Sequence, residues 1–393
     1  MASDDNYNNI IFPEIEAPSN CDEVAILGKC KKYDGTDPLD TLYSSAGDST
    51  RFYKIENSFG FYVDNKQASN GNVIIINSPG SLGGVIRGIS TNWLGGVSFN
   101  DNRIFINLNG QELKWNHTDN GPKRDNGGWI SAAAATAGKQ LSNNSVYIKN
   151  TIFSESGSIF GAYANSASSS YDAPFSQSTI TGNTVILDNV TMKPNTSYEP
   201  GWGLLLREHI FFTNPLFDDS AKSESIDMSN NSVYIKKSNL ALDSIAGAFV
   251  YTDADSGSFK SNNNLTFIDS STVNTGDNVY NRLYSASAPN SQDNVLSIQN
   301  STLNISTDKK YYSIRAVYSA DKTAENNRLN ISNTTINTLN ENNVSAKNVD
   351  ITGGYSYETS RNNKVILDNS VLGRKVTSVN GGISNGYYKK VRL

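Results

Sequence analysis

The sequence predicts an all-β chain wound as a right-handed parallel β-helix, a solenoid whose repeats span about 30–48 residues including insertions. Three observations lead there: a motif that returns along most of the chain, strict two-residue alternation inside each copy, and a composition unsuited to a compact cytosolic enzyme. Of 393 residues, 37% are hydrophobic and 18% charged, so one globular core of this size is poorly supplied. Asn, Ser, Thr and Gly fill the difference. Tyr (20) and Phe (15) with recurrent Val, Ile and Leu argue against disorder, which is poor in such residues.

The motif reads NNSVYIKNTIF at Asn143–Phe153, GNTVILDNVTM at Gly182–Met192 and NNSVYIKKSNL at Asn230–Leu240. It returns as DNVLSIQNSTL at Asp293–Leu303, NNRLNISNTTI at Asn326–Ile336 and NNKVILDNSVL at Asn362–Leu372. Weaker copies surround Ile74, Ile104 and Leu265. Taking Ile74, Ile104, Val146, Val185, Val233, Leu265, Leu296, Leu329 and Val365 as first inward residues gives spacings of 30, 42, 39, 48, 32, 31, 33 and 36. Val146 and Ile148 point one way while Tyr147 and Lys149 point the other, the period of a half-buried strand. The leading Asn pair is a turn signal, because Asn tolerates left-handed backbone. A further Asn at Asn150, Asn189, Asn300, Asn333 and Asn369 marks a second corner, and stacked like turns allow internal asparagine ladders. A block of small residues around an aromatic, as in GSIFGAYANS (Gly157–Ser166) and DITGGYSYET (Asp350–Thr359), completes the unit. Three short strands and three corners per turn fit this length. Helical repeats of similar length lack the alternation.

Residues 1–65 lack the motif and are read as an N-terminal capping region, since a solenoid end exposes open strand edges. Residues 66–393 are the β-helix. Cys21 and Cys30 are the only cysteines and close a short loop. An oxidising compartment favours a disulfide between them, with free thiols as the alternative. The C-terminal GYYKKVRL shows no comparable cap. Two insertions break the spacing near 109–128 and 193–228. They supply the candidate ligand-contact residues Trp115, His117, Tyr198, Trp202, Arg207, Glu208 and His209, because loops on a rigid scaffold commonly carry recognition. The bland alternative is that they cover a hydrophobic flank.

Chemistry is sparsely supplied. Glu208 with Asp218 or Asp219 is the best pair for glycoside hydrolysis, but nothing fixes their separation. The two histidines, His117 and His209, fall in different insertions, and no GxSxG, phosphate-binding or dinucleotide fingerprint occurs. Calcium at Asp253, Asp255 and Asp269 is weighed and set aside. The expectation is therefore no enzyme, no metal and no cofactor. A net charge of −5 with no basic stripe argues against nucleic acid as partner. No stretch has the length and apolarity of a membrane-spanning helix, so the chain itself is not expected to be membrane-embedded. Regular Thr ranks of the kind an ice-binding face needs are not read from the sequence.

With NNSVYIKN, GNTVILDN, NNKVILDN and the GAY/GGY blocks in view, the chain from about Tyr62 to Leu372 resembles the passenger of a classical autotransporter, the type V secretion family of Gram-negative bacteria. The resemblance is one of repeat style. It implies cell-surface display through a C-terminal outer-membrane β-barrel, which this chain does not contain, and an adhesin role in attachment and virulence. The implied partners are a host cell-surface protein or glycan, or another copy in self-association between bacterial cells. The alternatives are a carbohydrate-active β-helix enzyme and a passive structural spacer; a trimeric phage tail spike is a further compatible reading.

Overall fold

The computed structural model describes residues 10–19, 30–33, 48–55, 58–65, 70–77, 80–91, 98–115, 129–136, 140–155, 157–165, 177–194, 205–206, 209–211, 225–242, 244–251, 258–275, 282–307, 312–319, 322–340, 342, 347–384 and 387–390. They form the expected right-handed parallel β-helix. The coil of Gln140–Ser142, Ser145–Phe153 and Ser158–Asn165 has the expected three strands, whereas in most other coils the front and flank segments are separate strands, giving four. In one coil these are a short corner strand (Asn290–Gln292), a front strand (Val295–Gln299), a flank strand (Thr302–Ser306) and a back strand (Tyr312–Ser319). The next corner strand, Thr323–Glu325, begins the following coil. Where the motif is split, its second Asn lies left-handed between the front and flank strands (φ 51° at Asn300, 48° at Asn333); Asn150 and Asn189 turn the same way (45° and 56°) within unbroken strands.

Front strands stack in parallel from Val73–Ile76 through the first half of Ser145–Phe153 to Lys364–Asp368. Corner strands form a separate eight-stranded sheet among the described residues. One step of the expected register is corrected. Val233 pairs with Thr266, not Leu265, so Leu265 faces outward and Thr266 takes the inward place. A buried hydroxyl is tolerated there because Thr266 Oγ1 donates to the Tyr284 carbonyl at 2.8 Å. The core is a column of stacked apolar ranks: Ile104, Val146, Val185 and Val233 from the front, Leu240, Leu303 and Ile336 from the flank, Ile159, Leu283 and Ile314 from the back.

The second Asn of each leading pair builds the corner. The residue before it turns left-handed (Asn143 at φ 57°, Asn230 at 61°, Asp293 at 56°), and the Asn side chain then points into the coil. Asn72, Asn102, Asn144, Asn183, Asn231, Asn264, Asn294, Asn327 and Asn363 form one continuous internal ladder. At Asn294, Oδ1 accepts from the Asn264 backbone N–H at 2.9 Å and Nδ2 at 2.8 Å. Its own Nδ2 donates to Asn327 Oδ1 at 3.0 Å and to the Ser261 carbonyl at 2.8 Å. From Asn144 onward the accepting carbonyl lies three residues before the preceding coil's Asn, as with Leu141 for Asn183 and Ile180 for Asn231. A hydroxyl ladder lines the second corner. The Ser238 and Ser271 N–H groups donate to Ser271 and Ser301 Oγ at 3.0 and 3.1 Å, and Val190 interrupts the hydroxyl series.

Small residues in the back strand have a steric cause. A Cβ on Gly247 would stand 2.8 Å from the Ser285 carbonyl oxygen and 3.0 Å from that of Leu265. Here the back strand passes the start of the front strand with no side-chain layer between them.

Both ends carry antiparallel pairs. Asp48–Ile55 pairs with Ser58–Asn65, which continues in parallel onto Gly80–Thr91. At the other end Val376–Ser384 pairs with Tyr387–Lys390, a closing hairpin that the sequence reading of GYYKKVRL missed. The expected Cys21–Cys30 disulfide is corrected: no disulfide occurs among the described residues, and Cys21 lies outside them. What holds Cys30 is strand pairing, with Cys30–Tyr33 in register with Val73–Ile76.

Candidate functional site: a cleft on the front face

Outward residues of a solenoid strand ordinarily meet water, yet the outward front rank is apolar and shielded over several coils. Ile75, Phe105 and Ile186 are 5–6% exposed, and Tyr147 and Tyr234 are half-buried. Their register (Ile75–Phe105–Tyr147–Ile186–Tyr234–Phe267) places them one above another along the rod. The Phe105 and Tyr147 rings stack at 4.9 Å.

A strap, Ile10–Ser19, lies over this rank. It makes no strand pairing and leaves Ile11 83% and Ile15 37% exposed. Its anchor is Phe12, which meets the Tyr234 ring edge-on at 6.1 Å and lies under the Lys236 ammonium, 5.0 Å away. Pro13 and Pro18 keep the segment extended. Between strap and front face lies a cleft of about 860 Å³, within the size range of small-ligand sites. The strap lends it Glu14, Ile15, Glu16 and Pro18. The front face lends it Phe105, Asn107, Tyr147, Lys149, Ile186 and Asp188. Lys149, Asp188, Lys236 and Asp269 alternate in sign along one outward rank, of which Lys149 and Asp188 line the cleft, beneath a strap that carries two carboxylates. The site thus offers an apolar floor with amide and charged groups at its rim, the usual make-up of a recognition cleft.

The back face carries a second cluster. Tyr284, Tyr318 and Tyr355 stack along the rod at 6.0 and 5.2 Å, with Tyr357 edge-on to Tyr355. Arg315 sits over Tyr355 and Tyr318 at 4.5 and 5.3 Å and is paired with Asp350. Burial, then the hydrogen bond with Tyr357, pushes the Tyr318 phenol well above its ordinary value. Burial likewise raises Tyr234, opposed by the hydrogen bond with Ser232. A folded pKa raised above the unfolded one contributes stability below about pH 10 that is lost as pH rises through the folded value. Absorbance titration at 295 nm should therefore show late-ionising tyrosines in the folded chain. Tyr318→Phe should remove a late component and flatten the alkaline loss of stability; an unchanged titration curve would contradict the burial of that phenol.

The sequence-predicted contact residues fall elsewhere. Trp115 ends a flank strand opposite Leu82, and His209 opens a back strand opposite Phe249. No strand pairing brings these two together. His117, Tyr198, Trp202, Arg207 and Glu208 lie outside the described residues, as do Asp218, Asp219, Asp253 and Asp255. Within the 193–228 insertion, Leu205–Leu206 and His209–Phe211 run as back strands. On the flank, Thr272, Thr302 and Thr335 stack in register, a short rank that the sequence reading did not find. Among the described residues no group of three or more His, Cys, Asp or Glu stands in metal-binding proximity, and no helix is long and apolar enough to cross a membrane.

Comparison with family models, with curated proteins and with solved structures gave no match. The fold is therefore established on its own geometry, and the resemblance to autotransporter passengers stays at the level of a parallel β-solenoid.

Proposed function

We propose that the chain is a cell-surface recognition module of the adhesin type, a passenger-like solenoid that attaches to a glycan or protein on a host or bacterial surface through the front-face cleft. The observation that carries this reading is the cleft itself: the outward front rank forms the apolar floor of a concave site. The long stacked scaffold suits display away from a membrane anchor, which in such proteins is a separate outer-membrane β-barrel. The reading assigns no catalysis and no cofactor.

Binding of the purified chain to arrays of glycans and surface proteins tests it. A saturable hit should weaken at least about tenfold in Tyr147→Ala, the scale of one buried aromatic contact. A hit that survives Tyr147→Ala but is lost in Trp202→Ala would move the site to the 193–228 insertion. No saturable hit on folded protein would leave the spacer reading.

One observation favours a second reading, a glycoside-cleaving β-helix. Glu14 and Glu16 on the strap and Asp188 on the floor line one cleft from opposite walls, as paired carboxylates must. Product formation from an array-positive oligosaccharide, abolished by Asp188→Asn, would establish it; intact oligosaccharide after prolonged incubation would dismiss it.

A further inference from the structure

The strap is held differently from everything beneath it. Each described front strand is fixed by main-chain pairing to its neighbours, whereas Ile10–Ser19 has none. Among the described residues its ring contacts are those of Phe12, against Tyr234 and Lys236, and the carboxylates of Glu14 and Glu16 share the cleft with Lys149 and Asp188 of the floor. The cleft of about 860 Å³ between strap and floor shows that most of the strap is not close-packed on what it covers. Ten residues separate Ser19 from Cys30, where the sheet begins. Extended, such a link reaches about 33 Å, enough to carry the strap off its own floor.

We propose that the strap is exchangeable between molecules, and that the front-face groove takes the Ile10–Ser19 strap of a second copy of this chain. The floor already displays the chemistry of its occupant: an extended, proline-containing segment with one aromatic anchor, over an apolar rank flanked by the alternating row Lys149, Asp188 and Lys236. A second copy supplies that segment with identical complementarity, and exchange of a short element is a low-cost route to dimers. Peptide addition to a strand edge is not available here, because the front strands' main chain is already paired within the stack. The exchanged pair would keep the cleft, with the strap wall supplied in trans. This inference does not depend on the ligand of the cleft.

Two full-length variants test it. Phe12→Ala damages the strap but leaves the floor, and Tyr234→Ala damages the floor but leaves the strap. Neither should self-associate. Mixed at high concentration and annealed by mild warming, they should form a one-to-one heterodimer by native mass spectrometry, the Tyr234→Ala chain donating its strap. In parallel, a fluorescent peptide of sequence Ile10–Ser19 should bind the Phe12→Ala chain about tenfold more tightly than wild type, whose own strap competes for the floor. Its Phe→Ala version should not bind, and added salt should weaken binding. Absence of the heterodimer with both variants folded by circular dichroism would overturn exchange between copies, even if the peptide binds. Equal peptide binding by wild type and Phe12→Ala would overturn the floor as the strap's site.

Discussion

Replacing Asn294 by Ala is expected to lower the unfolding free energy by about 3–6 kcal/mol, the largest single effect in the molecule. The side chain is 0% exposed and satisfies groups on both neighbouring coils. Its loss leaves the Asn264 N–H and the Ser261 carbonyl buried without their partner, and removes an acceptor from the Asn264 amide. Each orphaned buried group costs roughly 1–3 kcal/mol. Because coils contact only their neighbours, the weakening should be local first: hydrogen exchange should accelerate in coils around Asn264–Asn327 at lower urea than in distant ones. Asn300→Ala, on the exposed outer amide row, should cost only the left-handed backbone penalty of about 1 kcal/mol. Equal costs at the two sites would contradict the ladder's role. Asn294→Asp adds a pH test. A buried carboxylate facing Asn327 Oδ1 cannot donate, so its folded pKa would be raised above the unfolded value near 3.9. Stability would then be retained below that value and lost as pH rises through the folded pKa.

The second large effect is steric. A Cβ at Gly353 would stand 2.4 Å from the Gly381 carbonyl oxygen and 2.6 Å from that of Lys364. Both obstacles are main chain in a paired sheet, so no flexible side chain can swing aside. Gly353→Ala should cost about 3 kcal/mol or more and loosen the last coils, measured by urea unfolding and by proteolysis near the C-terminal hairpin. Gly110→Ala, with nothing within 4 Å of the added carbon but φ +82°, should cost only the backbone penalty of about 1 kcal/mol. The reverse order of the two costs would show that the back strand does not approach the front strand as described.

Much of this architecture is legible in the sequence because the interior ladder imposes a residue type. The buried amide must be both donor and acceptor, so Asn recurs at each ladder position, preceded by Asn, Asp or Gly, the residues that accept a left-handed corner. The small residues of the GAY and GGY blocks report the close approach of two main chains. The slip at Leu265 came from letting hydrophobicity choose the inward residue. The Asn264 position decides the register, and Thr266 follows inward two residues later. The split into front and flank strands is hidden in the sequence because nothing in DNVLSIQNSTL looks like a break until the left-handed Asn300 is seen.

The site was less legible. The alternation in the motif correctly points Tyr147 outward, but does not show that its rank is covered. The missed signal is the run of outward Ile75, Phe105, Tyr147, Ile186, Tyr234 and Phe267, too apolar to face water. Such a rank demands a cover, and IIFPEIEAPS, extended and carrying one Phe, is the segment that supplies it over the rank's middle. Residues singled out in the insertions were chosen for chemical type without a geometric partner, and strand pairing does not bring Trp115 and His209 together.

The most direct test of the cleft as the recognition site is isotopic labelling of isoleucine methyl groups and their observation by NMR while the strongest array ligand is added. The account predicts saturable shifts at Ile15, Ile75 and Ile186, which line or bound the cleft, and none at Ile366, exposed on the same face at the far end of the rod. Shifts at Ile366 or at Ile210 in the back strand, with Ile75 and Ile186 unmoved, would contradict it.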